Sequence, residues 1–239
     1  MSEDPVDSAA RRRILVTDVQ SVKIFDVDEP KWKASIDGAA SNLGPISDVS
    51  FGHDFDDILI CSGFGVKLTR WSLATSRGAE IKNPKIGDKN HDGRPRTGHL
   101  AVLTRPAAQD ILMLMKPDLQ EVIKSVELST VDAQEVKWSR DGNWIAVRDA
   151  SSMGHKVQIY TADGHLFKTF SGFEDSLDVD LGIKSMTWNP AGTLILGDYN
   201  GRVVLLRKST VSASLTNVEN YDLYYPVRAN DHTSTQDAY

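Results

Sequence analysis

The chain is predicted to be all-β: an incomplete β-propeller of about four blades plus a partial N-terminal blade. Three observations predict it. The first is an internal repeat. Val49-Ser50-Phe51-Gly52, Val136-Lys137-Trp138-Ser139 and Met186-Thr187-Trp188-Asn189 each place an apolar residue two positions before a large aromatic. The second is that a turn and two more apolar stretches come after each of these blocks. These are Ile58 to Ile60 with Val66 to Trp71, Trp144 to Val147 with Val157 to Tyr160, and Leu194 to Leu196 with Val203 to Leu206. The third is the turn chemistry. Ser139-Arg140-Asp141-Gly142 and Asn189-Pro190-Ala191-Gly192 both supply glycine where the backbone needs φ > 0.

The aromatics measure the repeat. Phe51 and Trp138 lie 87 residues apart, twice a blade period of about 43, so a degenerate blade is expected between them. His99 to Thr104, Asp110 to Met115 and Glu121 to Leu128 read as its first, second and third strands. Trp138 and Trp188 lie 50 residues apart, and the surplus falls in an acidic loop from Ser171 to Asp180. Counting back from Phe51 lands in Met1 to Ala10, which has no strand pattern. The first blade therefore lacks its opening strand and keeps Arg13 to Thr17 and Ser21 to Val27. The expected order is a disordered N-terminus over 1–12, then propeller over 13–208, with blades at 13–28, 45–80, 97–128, 133–170 and 181–208. Residues 209–239, rich in Ser, Thr, Asn and Asp, read as a mostly disordered tail in which Tyr221 to Val227 is the one apolar-leaning patch. The half-blade and the abrupt end read as a piece of a larger ring.

Composition narrows the function classes. A length of 239 residues suits one all-β domain with a sizeable core. The net charge of −6 argues against a global nucleic-acid binder, whose basic footprint would have to be local, and no nucleic-acid partner is expected. The single cysteine, Cys61, excludes an intramolecular disulfide and fits a reducing compartment. No apolar window is long enough for a membrane helix, and Met1-Ser2-Glu3-Asp4-Pro5 lacks the apolar run of a signal peptide. A cytoplasmic or nuclear protein with no membrane partner is expected.

Four blocks carry a family resemblance. Glu29-Pro30-Lys31-Trp32 with Ile36-Asp37 resembles a Q-P-E-W…I-D segment. Trp71-Ser72-Leu73 followed by Ile81-Lys82-Asn83-Pro84-Lys85 resembles W-S-L…I-K-x-P-K. Val157 to Phe170 resembles a strand, a D-G turn at Asp163-Gly164 and a second strand. The most specific is Leu181-Gly182-Ile183-Lys184-Ser185-Met186-Thr187-Trp188-Asn189-Pro190, close to L-G-I-K-S-V-A-W-S-P. In these the chain resembles the Wdr-eight family, the WD-repeat proteins of centrosomes and fungal spindle pole bodies, over roughly 13–208. The resemblance implies a non-enzymatic WD-repeat scaffold of the cytoplasmic cytoskeleton. It implies two partners, a coiled-coil centrosomal or spindle-pole protein and a minus-end-directed kinesin, and a role in anchoring microtubule minus ends. The family's N-terminal blades have no counterpart here, and the acidic stretch is longer.

The site residues divide into two groups. Phe51, Trp71, Trp138 and Trp188 are read as structural repeat aromatics that pack between blades. Two loops exceed the blade template and are the candidate partner contacts. One is basic, with Lys82, Lys85, Lys89, Arg94 and Arg96; the other is acidic, with Glu174, Asp175, Asp178 and Asp180. Pro and Gly in the basic loop argue against a regular element there. Arg11-Arg12-Arg13 is too short to specify a localisation signal. No catalytic, metal or cofactor constellation is read. The six histidines lack metal-ligand spacing, His91-Asp92 with His99 being the nearest approach. Gly63-Phe64-Gly65 lacks the frame of a phosphate loop, and Asp54, Asp56 and Asp57 read as a solvated turn. The alternative function is another WD-repeat adaptor, such as a ubiquitin-ligase substrate receptor. The W-D-x-R blade ends of such receptors are missing at Phe25-Asp26-Val27-Asp28 and Trp71-Ser72-Leu73-Ala74.

Overall fold

A computed structural model describes residues 12–54, 56–81, 84–87, 89–153, 156–171, 182–199, 201, 203–209 and 220–227. Every sheet is an antiparallel meander in chain order. Blade I holds β1 (Arg13–Thr17), β2 (Ser21–Asp26) and β3 (Lys33–Asp37). Blade II holds β4 (Ile46–Phe51), β5 (Asp57–Ser62), β6 (Lys67–Ser72) and β7 (Arg77–Ile81). Blade III holds β8 (His91–Gly93), β9 (Leu100–Thr104), β10 (Ile111–Met115) and β11 (Val122–Glu127). Blade IV holds β12 (Ala133–Trp138), β13 (Trp144–Asp149), β14 (Val157–Thr161) and β15 (Leu166–Phe170). Blade V holds β16 (Ile183–Trp188), β17 (Leu194–Asp198), β18 (Val203–Ser209) and β19 (Asn220–Val227). The fold is an incomplete β-propeller, and the described residues contain no α-helix.

Strand alternation explains why the blades stack. Successive side chains point to opposite faces, so an apolar run with no polar alternation must be buried on both sides. In β13, Ile145 and Val147 face a core shared with blade III, while Ala146 between them joins the core shared with blade V. In β5, Ile58 and Ile60 pack toward blade I and Leu59 toward blade III. Among the described residues four apolar cores result, each built from two consecutive blades. The last strands of the interior blades are more exposed, as the alternating pattern of β11 shows.

The repeat extends to irregularities. The inner strands β4, β12 and β16 each slip register at the same place, between Ile46 and Asp48, Ala133 and Glu135, and Ile183 and Ser185. Each of these strands then ends on its aromatic. Phe51 pairs with Ile58, Trp138 with Ile145 and Trp188 with Leu194. Trp71 occupies a different place, on the third strand opposite Ile58, where blade IV has Tyr160 opposite Ile145. The two turns after Trp138 and Trp188 close alike. Gly142 N–H donates to Ser139 O at 2.9 Å and Gly192 N–H to Asn189 O at 3.1 Å, both glycines with φ above +70°.

Three strand assignments from sequence require correction. Blade I runs to Asp37 rather than ending at 28, because β3 alternates only the modest Ala34 and Ile36 against polar neighbours. In blade III, Leu100–Thr104 is the second strand and β8 is the first, so the Pro- and Gly-rich loop does contain a regular element. The tail supplies β19, which pairs with β18 from Val203↔Val227 to Ser209↔Asn220 and completes blade V. Its polar surroundings disguise it. Pro226 falls at the register shift opposite Val203 to Leu205, where no ladder N–H is needed. Residues 1–11, 172–181 and 228–239 lie outside the described residues.

Trp138 and Trp188 are buried and equivalent in register, yet their indole N–H groups differ. Trp188 Nε1 donates to Lys137 O at 3.2 Å. Trp138 Nε1 is buried with no acceptor among the described residues, and the Arg94 guanidinium covers its ring at 5.2 Å. Replacing an indole by phenyl removes a hydrogen bond only at 188, and such a bond contributes about 1 kcal/mol. Trp188→Phe should therefore cost about 1 kcal/mol more than Trp138→Phe in urea denaturation. Equal losses would show that the Lys137 bond contributes nothing.

Candidate functional site

The segment read as a basic partner loop divides between the interior and the surface. Lys85 is buried, its Nζ 2.9 Å from Asp110 Oδ1 and 2.7 Å from Asp132 Oδ1. Arg105 joins the cluster, with Nε 2.9 Å from Asp110 and Nη1 3.0 Å from Asp132. The other Asp110 oxygen accepts from Thr130 Oγ1 at 2.9 Å and from the Ala133 N–H at 2.6 Å. The hydrogen bond from Lys85 holds the Asp132 carboxyl below the usual carboxylate range. This cluster links the connector into blade III, the β9–β10 turn and the connector into blade IV. A charge this buried is tolerated because two carboxylates flank the Lys85 ammonium within 2.9 Å.

Arg94 is also committed. Its Nε donates to Gly142 O at 2.8 Å, tying blade III to the β12–β13 turn, while its planar head covers Trp138. Lys89 and Arg96 lie at the surface. Lys89 Nζ is half exposed and 3.8 Å from Glu135, whose carboxylate is held by Arg148 at 3.0 Å. Arg96 is exposed at the tip of the β8–β9 turn with φ +67°. Lys82 lies outside the described residues, as do Glu174, Asp175, Asp178 and Asp180 of the acidic loop. The basic segment is therefore not one solvated patch. Proline and glycine set its path, and backbone bonds fix it, from Lys85 N–H to Leu103 O at 2.8 Å and from Val136 N–H to Lys89 O at 3.1 Å.

Two other sequence readings change. The Asp54 to Asp57 turn is not simply solvated. Asp57 is buried against Arg70 at 2.6 Å, and Asp56 binds Arg13 Nη1 at 2.6 Å. Arg13 is buried, lies 3.5 Å from Asp26 and stacks over Trp32 at 4.1 Å. It bridges blades I and II, so its place in the triple-arginine run is architectural. His91 Nδ1 lies 2.9 Å from Asn90 Oδ1, and among the described residues no group of His, Cys, Asp or Glu is arranged to hold a metal.

Two features escaped sequence reasoning. The first is a cleft of about 560 Å³ between the inner ends of blades II and III. Its apolar walls include Phe51, Leu59, Leu100 and Leu119, and its polar lining includes Arg70, Lys89, Asp92, Arg96 and Lys137. Asp92 accepts from the Trp138 N–H at 2.6 Å and lies 3.8 Å from Lys137 Nζ. Burial raises its carboxyl above the ordinary range, Lys137 acting against the shift. The second is a pair of apolar loop tips on the connector face. Phe64 is 81% exposed and Ile86 is 72% exposed. The Gly87 N–H reaches Gly65 O at 3.4 Å and brings their two loops together. Neither tip has a sequence signal beyond an isolated apolar residue among glycines.

No family model matches the chain. It is 28% identical over 194 residues to the WD repeat-containing protein WRAP73 of mouse, covering 79% of this chain and 39% of that protein. It is also 28% identical over 205 residues to an uncharacterized WD repeat-containing protein of Schizosaccharomyces pombe, covering 84% of this chain and 41% of the other. The chain thus spans about two-fifths of the length of these curated relatives. Among solved structures it resembles the Dos1 propeller, with TM-score 0.56 and 10% identity, over 78% of this chain and 52% of that one. It likewise resembles the β-propeller domain of Cps50 (Swd1) from Myceliophteria thermophila, with TM-score 0.57 and 13% identity, over 90% and 67%. These structures agree in fold.

The burial of the cluster sets one expected outcome. Lys85→Met should destabilise by about 3 kcal/mol, because it leaves the buried Asp110 carboxylate with Arg105 as its one remaining cation among the described residues. Lys89→Ala and Arg96→Ala should stay within about 0.5 kcal/mol of wild type. Thermal melts of the three variants test this, and a Lys85→Met protein as stable as the other two contradicts it. A second outcome concerns pH. A carboxyl whose folded pKa is raised penalises the fold in full above that value, and the penalty shrinks as pH falls from there towards the unfolded pKa. Asp92→Asn should therefore stabilise the protein near pH 7. The gain should shrink with falling pH and vanish below about 3.9, the unfolded value. Denaturation curves across that range decide it, and a gain constant with pH excludes the mechanism.

Proposed function

We propose that this WD-repeat propeller is a non-enzymatic protein-interaction scaffold of a microtubule-organising centre. In this reading it binds a coiled-coil centrosomal or spindle-pole protein and a minus-end-directed kinesin, and supports spindle organisation by anchoring microtubule minus ends. The coarser part, a WD-repeat propeller of the protein-binding type, rests on the relatives and on the fold. The observation that carries the interaction role is the exposure of Phe64 and Ile86 on neighbouring loop tips. Strand interiors are committed to the shared cores, and apolar loop residues on a rigid scaffold are the usual material of a partner contact. The finer part is supported by the sequence blocks that resemble the Wdr-eight family, above all Leu181 to Pro190. A microtubule-organising role also places the chain in the cytoplasmic cytoskeleton.

Affinity purification of the tagged chain from mitotic extract tests the reading. The expected recovery is a coiled-coil spindle-pole or centrosomal protein together with a kinesin, weakened by Phe64→Ser with Ile86→Ser. Recovery of a cullin adaptor instead would replace the proposal with the ubiquitin-ligase reading. An unchanged recovery from the double variant would remove the apolar tips from the interface.

A further inference from the structure

One position breaks the repeat, and the cleft lies beside it. The backbone bonds Gly52 N–H to Asp57 O, Ser139 N–H to Trp144 O and Asn189 N–H to Thr193 O come directly after Phe51, Trp138 and Trp188. The matching bond in blade III runs from Arg94 N–H to His99 O, so Gly93 stands where the other inner strands carry an aromatic ring. Trp188 packs in the core that contains Ala146 and Ile159 of the preceding blade, and bonds to Lys137 O. Lys137, Ala146 and Ile159 are paired across three strands. In blade II the equivalent ladder is Ser50, Leu59 and Arg70, and all three line the cleft. A Cβ added at Gly93 would meet nothing within 4 Å among the described residues. The seat of a missing ring has been kept open.

We propose that this cleft is a docking site for an aromatic side chain, tryptophan above all, carried by an acidic segment of a partner protein. The inference rests on the scaffold reading and names where on the scaffold a partner inserts. The apolar floor, Phe51, Leu59 and Leu100, suits a ring. The cations at the mouth determine the flanking residues. Arg96 is exposed, Lys89 and Lys137 are partly exposed, and the ion pairs of those lysines with Glu135 and Asp92 are long, at 3.8 Å. Asp57 is already matched by Arg70 at 2.6 Å. A buried aromatic anchor ringed by charge is the usual composition of an energetic centre in an interface.

The test uses a fluorescein-labelled Glu-Asp-Trp-Glu-Asp peptide and its Ala-for-Trp counterpart, followed by anisotropy against the full chain. The Trp peptide should bind at least about tenfold more tightly than the Ala peptide, the difference expected of one anchor residue. Gly93→Trp restores the ring of the other blades. It should raise the melting temperature and abolish the preference for the Trp peptide, while Gly93→Ala keeps it. Arg96→Glu should weaken the Trp peptide several-fold and flatten its salt dependence. If Gly93→Trp fails to fold, the comparison of the two peptides on wild type and on Arg96→Glu decides the matter. Equal binding of both peptides, or a folded Gly93→Trp protein that still prefers Trp, overturns the site. Recovery of spindle-pole proteins without peptide binding removes the site and leaves the scaffold reading. Peptide binding without those proteins does the reverse.

Discussion

No blade of this protein has an interior of its own. A four-stranded sheet is one layer thick, and its apolar side chains find cover only in the next sheet about 10 Å away. Ile145 and Val147 depend on blade III, and Ala146, on the strand between them, depends on blade V. This mutual dependence explains why the second strands β5, β9 and β13 carry unbroken apolar runs while the last strands β7, β11 and β15 are more polar. It also explains the aromatic at the end of the inner strand. Trp138 and Trp188 each pack in the core that their blade shares with the preceding one.

Charge performs a second task, fixing the connectors. Arg13 with Asp56, and Lys85 with Asp110 and Asp132, join segments remote in sequence, while Arg13 with Asp26 and Arg70 with Asp57 tie adjacent strands of one blade. Buried ion pairs add little net stability, because desolvation offsets attraction, but a wrong pairing leaves a bare charge. Their effect here is to specify path. The connector into blade III has few apolar residues to hold it, and Lys85 anchors it in their place.

The blades with rings were legible in the sequence because periodicity, turn glycines and aromatics agreed. Blade III was legible only in part. Gly93 removes the marker from its inner strand, and three residues of β8 are too short to show a period. β19 was hidden for another reason, since Asn220 to Val227 has strand-forming residues inside a polar tail. Its identity as a strand depends on an open edge at β18, which only the fold supplies. The basic loop was misread at Lys85 and Arg94 because sequence counts charges and cannot see their partners. Nothing near Lys85 announces Asp110, which is 25 residues away. The cleft was illegible on the same ground, since an absence has no spelling.

The sharing of cores has a consequence for how this molecule comes apart. Among the described residues, five sheets with four shared cores behave as a one-dimensional array in which each unit is stabilised by its nearest neighbours. The sheets in the middle, such as blade IV, are gripped on both faces, whereas blade I contributes to a single one of those cores. Opening then proceeds from the weakly gripped units inward, and amide exchange rates grade along the chain instead of collapsing to one value. A single melting temperature would average over that gradient.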